Sequence, residues 1–261
     1  MIRVQYVSDT HLELCKGRVY SIRREAPILA LAGDIGNPYM ENYFKFLEYC
    51  SETFEHVLLV SGNHEYYHAK HVKRTIAAVD AQIEEVCSQF ANVHFLNDRG
   101  VVIDGVLYYG TTLWTFIPAG RREPVEGGIA DYGNIYAEEG RLLTVRDVNF
   151  MHLDKSRKLY TAVKDAPCDT VVITHHCPTS HPASRYHFGA DDLRCSFHAD
   201  MNSLIRAFTD KLRVWIYGHT HKMANFTISN TQLLSNPHGY PGELYTCGDP
   251  PVCTHSVRAN V

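Results

Sequence analysis

Five short clusters hold most of the side chains that could do chemistry: Ser8-Asp9-Thr10-His11, Gly33-Asp34, Ser61-Gly62-Asn63-His64-Glu65, His175-His176 and Gly218-His219-Thr220-His221. Each alone is a weak signal. A lone D-x-H or Gly-Asp arises often by chance, and a single histidine is more often structural than a ligand. Two spacings sharpen the case. Asp9/His11 and His219/His221 are both i, i+2 pairs, and in extended backbone such residues point the same way. Each pair is therefore expected to grip one ion. Together the clusters offer Asp9, His11, Asp34, Asn63, His175, His219 and His221. That is too many ligands for one tetrahedral zinc, but it suits two ions sharing a bridging carboxylate.

A competing chemistry lies inside the third cluster. His64-Glu65-Tyr66-Tyr67-His68 fits H-E-x-x-H, which on a helix presents two histidines to zinc and a glutamate as general base. The extended form of that protease motif fails, because His71 stands where glycine is required and Arg74 where the last histidine is required. Glu84 or Glu85 could supply a distant acidic ligand in a shorter form. However, Gly62-Asn63 directly after an apolar run predicts a turn at His64 rather than the middle of a helix. The protease reading also leaves four clusters unexplained. His68 and His71 are then surface histidines on the first turns of the next helix, and Glu65 braces its loop.

The clusters share a position: each follows a short, β-branched apolar run bounded by turn residues, the pattern of a buried strand. The runs are Ile2 to Val7, Ile28 to Ala32, His56 to Val60, Thr170 to Thr174 and Arg213 to Tyr217. Further strands are read at Val101, from Val106 to Trp114, and in a pair joined at Asn230. Helical spacing of apolar residues predicts helices over Pro38 to Phe54, His71 to Phe90, from a Thr144 cap through Val163, and over Ser196 to Thr209. Strands alternate with helices in the first half and follow one another later. This implies an α/β protein with two sheets packed together and helices outside. Ligands of α/β sheets gather at the carboxyl ends of strands, where all five clusters would converge. Thr115 to Leu142 has no clear period and reads as a long loop or lid.

Bulk properties narrow the function. The chain has 261 residues, 45% hydrophobic and 21% charged, and a formal net charge of -4, so it carries no global basic footprint for nucleic acid. This argues against a nucleic-acid polymer as partner. No apolar run approaches the ~18 residues needed to cross a bilayer, so no membrane partner is expected. The eight cysteines are scattered, none in C-x-x-C, and the N-terminus lacks a signal peptide's pattern. Reduced thiols and a cytoplasmic location are the expectation. Oligomeric state is not legible.

D-x-H, G-D, G-N-H-E, a strand-end His and G-H-T-H, in that order, resemble the calcineurin-like metallophosphoesterases. The motifs run from Asp9 to His221. The tail Ser235 to Glu243 resembles the N-P-x-G-Y-P ending of a small, bacterial-type subgroup, and Gly110 to Trp114 and Asp131-Tyr132 fit it less specifically. The resemblance implies a four-layer αββα sandwich of two mixed β-sheets flanked by helices, formed by a single domain over 1–261 with a long loop or lid at about 115–142. It implies a site for two divalent ions, drawn from Mn, Fe, Zn, Co or Ni. By motif position, Asp9, His11 and His221 hold the first ion, Asn63, His175 and His219 the second, and Asp34 bridges them. His175 is chosen over His176 because it directly follows Thr174; His176 then reaches substrate or packs behind the site. His64 becomes a catalytic group facing the phosphate, not an inner ligand.

The implied activity is hydrolysis of a small phosphodiester, cyclic nucleotide or phosphomonoester by a metal-activated hydroxide. Asn63, His64, His176, Asn236 and Tyr240 are the candidate substrate-binding residues, with Arg185, Tyr186, His187 and Asp131 or Tyr132 as further pocket candidates. The chain departs from the protein-phosphatase pattern G-D-x-V-D-R-G, since Asp34 is followed by Ile35-Gly36-Asn37. This argues against a phosphoprotein substrate. A catalytically idle metal-binding scaffold of the same fold is the alternative from another class.

Overall fold

The computed structural model describes residues 2–17, 19–68, 72–181, 191–243 and 253–257. The first half runs β1 (Ile2–Val7), β2 (Ile28–Ala32), α1 (Glu41–Thr53), β3 (His56–Val60), α2 (Ile76–Cys87), β4 (Val93–Phe95), β5 (Arg99–Ile103) and β6 (Val106–Thr111). Next come α3 (Arg122–Gly128), α4 (Asp131–Asn134), β7 (Tyr136–Glu138), β8 (Arg141–Leu142) and α5 (Val145–Asp165). The remainder is β9 (Thr170–Thr174), α6 (Asn202–Ala207), β10 (Leu212–Ile216), β11 (Ala224–Ile228), β12 (Thr231–Ser235) and β13 (Thr254–Val257).

Two mixed sheets form the centre. One has the order β13-β1-β2-β3-β4, with β1 to β4 parallel and β13 antiparallel to β1. The other has the order β11-β12-β10-β9-β6-β5, with a parallel middle and antiparallel edges. The period-2 alternation of strand side chains assigns the layers. Ile28, Ala30 and Ala32 of β2 and Leu58 and Val60 of β3 meet Val171, Ile173, Val214 and Ile216 of the second sheet in one core. The alternate residues Leu29, Leu31, Val57 and Leu59 pack outward on Tyr43, Phe46 and Leu47 of α1 and on Val79 and Ile83 of α2. On the far side, Val172 and Trp215 pack on Leu159 and Val163 of α5 and Leu204 and Ile205 of α6. The order is helix, sheet, sheet, helix. Buried on both faces, the central strands read as continuous apolar runs.

Several boundaries differ from the sequence reading, each for a local reason. α2 starts at Ile76, not His71, because the Thr75 side chain accepts from the Ala78 N–H and caps it there. The Val106 run ends at Thr111, because Leu113 and Trp114 adopt φ of 69° and 54°, outside strand geometry. The helix read over Ser196 to Thr209 covers only Asn202–Ala207. Asp200 accepts from the Asn202 backbone and side-chain amides, which turns the chain into that helix. The 115–142 segment is not a structureless loop. It holds α3, α4 and the β7-β8 hairpin, and it buries Val125, Tyr132 and Ile135 against the first outer core. Helices of seven and four residues are too short to show a period in sequence.

Candidate metal centre

All five clusters sit at the carboxyl ends of β1, β2, β3, β9 and β10, and the packing of the two sheets brings them together. The strands differ in chain position by more than 200 residues, yet His11 Nε2 lies 3.2 Å from His221 Nε2, and His219 Nδ1 lies 3.2 Å from His175 Nε2. Asp34 stands between the two groups, with Oδ2 3.9 Å from His11 Nε2 and 3.4 Å from His175 Nε2. Donor atoms of Asp9, His11 and His221 lie within 4.8 Å of one another, and so do those of Asp34, His175 and His219. Asn63 Oδ1 is 3.0 Å from His175 Nε2.

Asp9 and His11 share one group as expected, but His219 and His221 divide between the two groups, and neither pair is aimed by extended backbone. Asp9, His11, Asp34, His219 and His221 all have φ between 46° and 67°. Alternate left-handed residues, not extended backbone, aim each pair. Asp and His enter this region more readily than most residues, yet each costs of order 1–3 kcal/mol and persists only where surroundings over-determine it. The surroundings here are tight. A Cβ on Gly33 would lie 2.5 Å from His175 Nδ1, and one on Gly218 would lie 2.8 Å from Asp9 Oδ2 and from the Ala32 carbonyl. Glycine at these positions is what lets strand ends approach closely enough to share ligands.

Nitrogens facing one another at such distances call for a cation between them, and the outer contacts agree. His175 Nδ1 donates to the Ala32 carbonyl at 3.0 Å, and His219 Nε2 to the Ser196 carbonyl at 3.3 Å. His11 Nδ1 donates to Glu13 at 3.1 Å, and His221 Nδ1 to Glu243 at 2.6 Å. In each ring the outward nitrogen carries its proton to an acceptor, so the inward nitrogen is left to ligate. This is the usual outer arrangement of metal-binding histidine. The donor set of carboxylate, amide oxygen and imidazole fits first-row divalent ions.

The charges are consistent with a site built for positive ions. Burial works against ionised Asp34, but His175, His64 and His11 outweigh it and hold the carboxyl well below its usual range. Burial likewise disfavours protonated His175, yet Asp34 pushes it up to about 10 in the metal-free protein. Two cations would take the place of those protons.

Glu65 is not a base beside zinc. Its side chain is buried and accepts from the backbone N–H of Gly62 at 2.7 Å, Ile35 at 2.7 Å and Asp34 at 3.1 Å, tying the β2 and β3 loops together. His64–Tyr66 is a single 3-10 turn, and Tyr67 is extended, so His64 and His68 share no helical face. His68 precedes α2 and packs on Tyr136. The zinc-protease pattern is coincidental.

His64 stands beside the cluster. Its N–H donates to Asp34 Oδ1 at 2.8 Å, Nδ1 is 3.2 Å from Glu13 Oε1, and Nε2 is 3.1 Å from the Tyr240 hydroxyl. The ring stacks on Tyr67. Burial pulls its pKa down, but Asp34 and Glu13 push it up to about 9 in the metal-free site. A cleft of about 170 Å³ opens here, lined by Asp34, Asn63, His64, His219, His221 and Tyr240, with Tyr67, Ile129 and Phe197 as its walls.

The structure separates the sequence candidates. Asn63, His64 and Tyr240 line the cleft. His176 does not: it is buried, bonds the Thr112 carbonyl through Nδ1 at 3.1 Å and packs on Trp114. Burial first, then His175, pushes its pKa down to about 3, so it is neutral behind the site. Asn236 is also buried; its amide donates to the Tyr6 carbonyl, bracing the end of β1 instead of lining the cleft. Arg185, Tyr186, His187, His71 and Cys247 lie outside the described residues. Among the described residues no two of the other seven cysteines are joined in a disulfide.

Sequence reasoning missed Glu13, Glu243 and Tyr67. Phe197, inside the helix expected over Ser196 to Thr209, instead stacks its ring beside His219 in the cleft wall. Asp131, offered as approaching from the 115–142 segment, is buried and accepts from Asn63 Nδ2 at 2.8 Å and the Tyr67 hydroxyl at 2.6 Å. It turns the Asn63 amide oxygen toward His175.

The calcineurin-like phosphoesterase family, Metallophos, matches residues 2–223. The chain belongs to this family. A curated relative, an uncharacterized protein of Acanthamoeba polyphaga mimivirus, is 27% identical over 260 residues, covering 92% of each chain. Among solved structures, the phosphopantetheinyl hydrolase PptH of Mycobacterium tuberculosis is similar at a TM-score of 0.67 and 18% identity, covering 91% of this chain and 89% of that one. A dimetal phosphatase from Danio rerio is similar at a TM-score of 0.53 and 14% identity, covering 90% and 87%. At these identities the two structures bear on the fold. The family is one of phosphoesterases, and the two sheets with outer helices agree with its fold. No described helix is long and apolar enough to cross a membrane.

Proposed function

We propose that this chain hydrolyses a small phosphate ester at a two-ion centre, with a phosphodiester, cyclic nucleotide or phosphomonoester as substrate. The observation that carries the reading is the pair of ligand groups meeting at one carboxylate: Asp9, His11 and His221 on one side, His175 and His219 with Asn63 on the other, and Asp34 between. When bound, two divalent ions of Mn, Fe, Zn, Co or Ni type supply a water that is nucleophilic at neutral pH and positive charge for the phosphoryl oxygens.

The chain's own residues then do the rest. Asp34, aligned through its backbone by Glu65 and through Oδ1 by the His64 N–H, keeps the two ligand groups in register. Asn63, aligned by Asp131, presents its oxygen inward. His64 Nε2 faces the cleft and delivers a proton, or positive charge, to the departing oxygen; such a group contributes about 10²–10⁴-fold. Tyr240, whose ring lies 4.5 Å from His11 and 4.6 Å from His221, covers the cluster and contacts the ester group.

The test is metal content together with turnover of a panel assayed with Mn²⁺: 4-nitrophenyl phosphate, bis(4-nitrophenyl) phosphate and 2′,3′- and 3′,5′-cyclic nucleotides. Two ions per chain and turnover of at least one ester class support the proposal. Tight binding of metal with no turnover on any would favour an idle metal-binding scaffold.

A further inference from the structure

We propose that Glu13 is a positioning residue for His64, fixing that ring so that Nδ1 keeps its proton on the glutamate and Nε2 faces the cleft. The proposal rests on the reading of His64 as the group that serves the leaving oxygen. One carboxylate oxygen makes both contacts: Glu13 Oε1 lies 3.1 Å from His11 Nδ1 and 3.2 Å from His64 Nδ1. The two rings meet edge to face, with centroids 4.5 Å apart.

Three observations separate this from ordinary packing. First, Glu13 follows β1 in the 3-10 turn Leu12–Leu14, next to the His11 ligand position, so it belongs to the site and not to a surface ion pair. Second, its other oxygen, Oε2, is buried and has no hydrogen-bond partner among the described residues. A buried, unpaired carboxylate oxygen costs stability, so folding alone does not favour a glutamate here. Third, the geometry leaves His64 little freedom. Tyr67 stacks on one face with centroids 4.2 Å apart, the backbone N–H is held by Asp34, and Nε2 points to the Tyr240 hydroxyl. Only a donor at Nδ1 matches an acceptor at Glu13. A proton leaving His64 therefore leaves from Nε2: as hydroxide adds to phosphorus and the ester P–O bond breaks, the proton passes to the departing oxygen, an alcohol or phenol and a phosphate product are released, and the ring becomes the neutral Nδ1–H tautomer still bound to Glu13.

No sequence motif carries the Glu13–His64 contact. The chain lacks the second aspartate of G-D-x-V-D-R-G after Asp34, and Glu13 reaches His64 from a different strand end, 51 residues away in sequence.

The experiment compares wild type, Glu13→Ala, Glu13→Gln, His64→Ala and the double variant Glu13→Ala/His64→Ala. Turnover is measured on two aryl phosphodiesters, one with a 4-nitrophenyl and one with a poorer phenyl leaving group. Metal content and imidazole ¹⁵N NMR of the zinc-loaded proteins are read alongside. Glu13→Ala is expected to slow the phenyl ester by about tenfold to a hundredfold, the usual effect of removing an outer partner, and the 4-nitrophenyl ester by less. Glu13→Gln, whose amide oxygen still accepts from Nδ1, should recover most of the loss. The double variant should be no slower than His64→Ala. The ¹⁵N spectrum should change His64 from the Nδ1–H to the Nε2–H tautomer in Glu13→Ala alone. Multiplicative losses in the double variant, or an unchanged tautomer, overturn the assignment. If His64→Ala leaves both esters unaffected, the reading of His64 fails instead, while the tautomer result still decides the Glu13 contact.

Discussion

Gly62 gives the sharpest perturbation of the centre that replaces none of its candidate ligands. A Cβ at this position would lie 2.1 Å from Asp34 Oδ1, 2.6 Å from Asp34 N and 2.8 Å from its Cγ. Carbon–oxygen contact needs roughly 3.2–3.5 Å, so Gly62→Ala must drive the Asp34 carboxylate away by about 1 Å. Asp34 has nowhere to yield, since Oδ1 holds the His64 N–H and its own N–H is held by Glu65. Overpacking of this kind costs about 1–3 kcal/mol in stability, within what a domain of this size tolerates. The loss at the centre is larger. Metal–ligand distances tolerate about ±0.2 Å, and a displacement near 1 Å can cost about 10²-fold in rate. Gly62→Ala should therefore remain folded, lose at least one ion on dialysis and fall a hundredfold or more in turnover of bis(4-nitrophenyl) phosphate. Gly127→Ala is the control, because no described atom lies within 4 Å of its added methyl. If Gly62→Ala keeps two ions and turns over within about threefold of wild type, Asp34 does not hold the ions together.

Asp34→Ala and Asn63→Ala should each abolish turnover through loss of metal, read by elemental analysis of the dialysed protein. His64→Ala should keep both ions and lose about 10²–10⁴-fold in rate; loss of an ion would make it a ligand, an arrangement its proximity to His11 and Asp34 permits. Asp131→Ala leaves the Asn63 amide free to turn its nitrogen inward, and metal affinity should drop about tenfold to a hundredfold in a calorimetric titration. The chelated, metal-free protein should lose stability as pH rises. His64 and His175 have folded values raised to about 9 and about 10 above an ordinary 6.5, so their contribution is complete below pH 6.5 and lost as pH climbs through those values. Denaturation midpoints across pH 6 to 10 measure it, and metal-loaded protein should show a flatter profile.

Much of the architecture was legible because buried strands announce themselves. Runs such as Ile28 to Ala32 and Thr170 to Thr174 are apolar on both faces and end in glycine, aspartate or histidine, so element type and cluster position came together. Short elements were not legible. α3 and α4 complete fewer turns than a periodic pattern needs, and their helical state follows from Val125 and Tyr132 docking on the outer core. Glu13 was invisible for a different reason: a single glutamate two residues after a histidine carries no pattern, and its partner His64 arrives from another strand.

By itself the sequence determined which side chains gather at the strand ends and that the outer layers are helical, since covalent spacing and hydrophobic alternation are local properties. It could also set aside the protease pattern, because glycine and asparagine before His64 oppose a helix there. Which nitrogen of each histidine faces inward, why Asp9 and His11 aim together with left-handed backbones, and which of His175 and His176 meets Asn63 were decided only by tertiary structure. Those properties depend on acceptors such as the Ala32 carbonyl, the Ser196 carbonyl and Glu243, which are distant from their partners in sequence and reach them only in the folded chain.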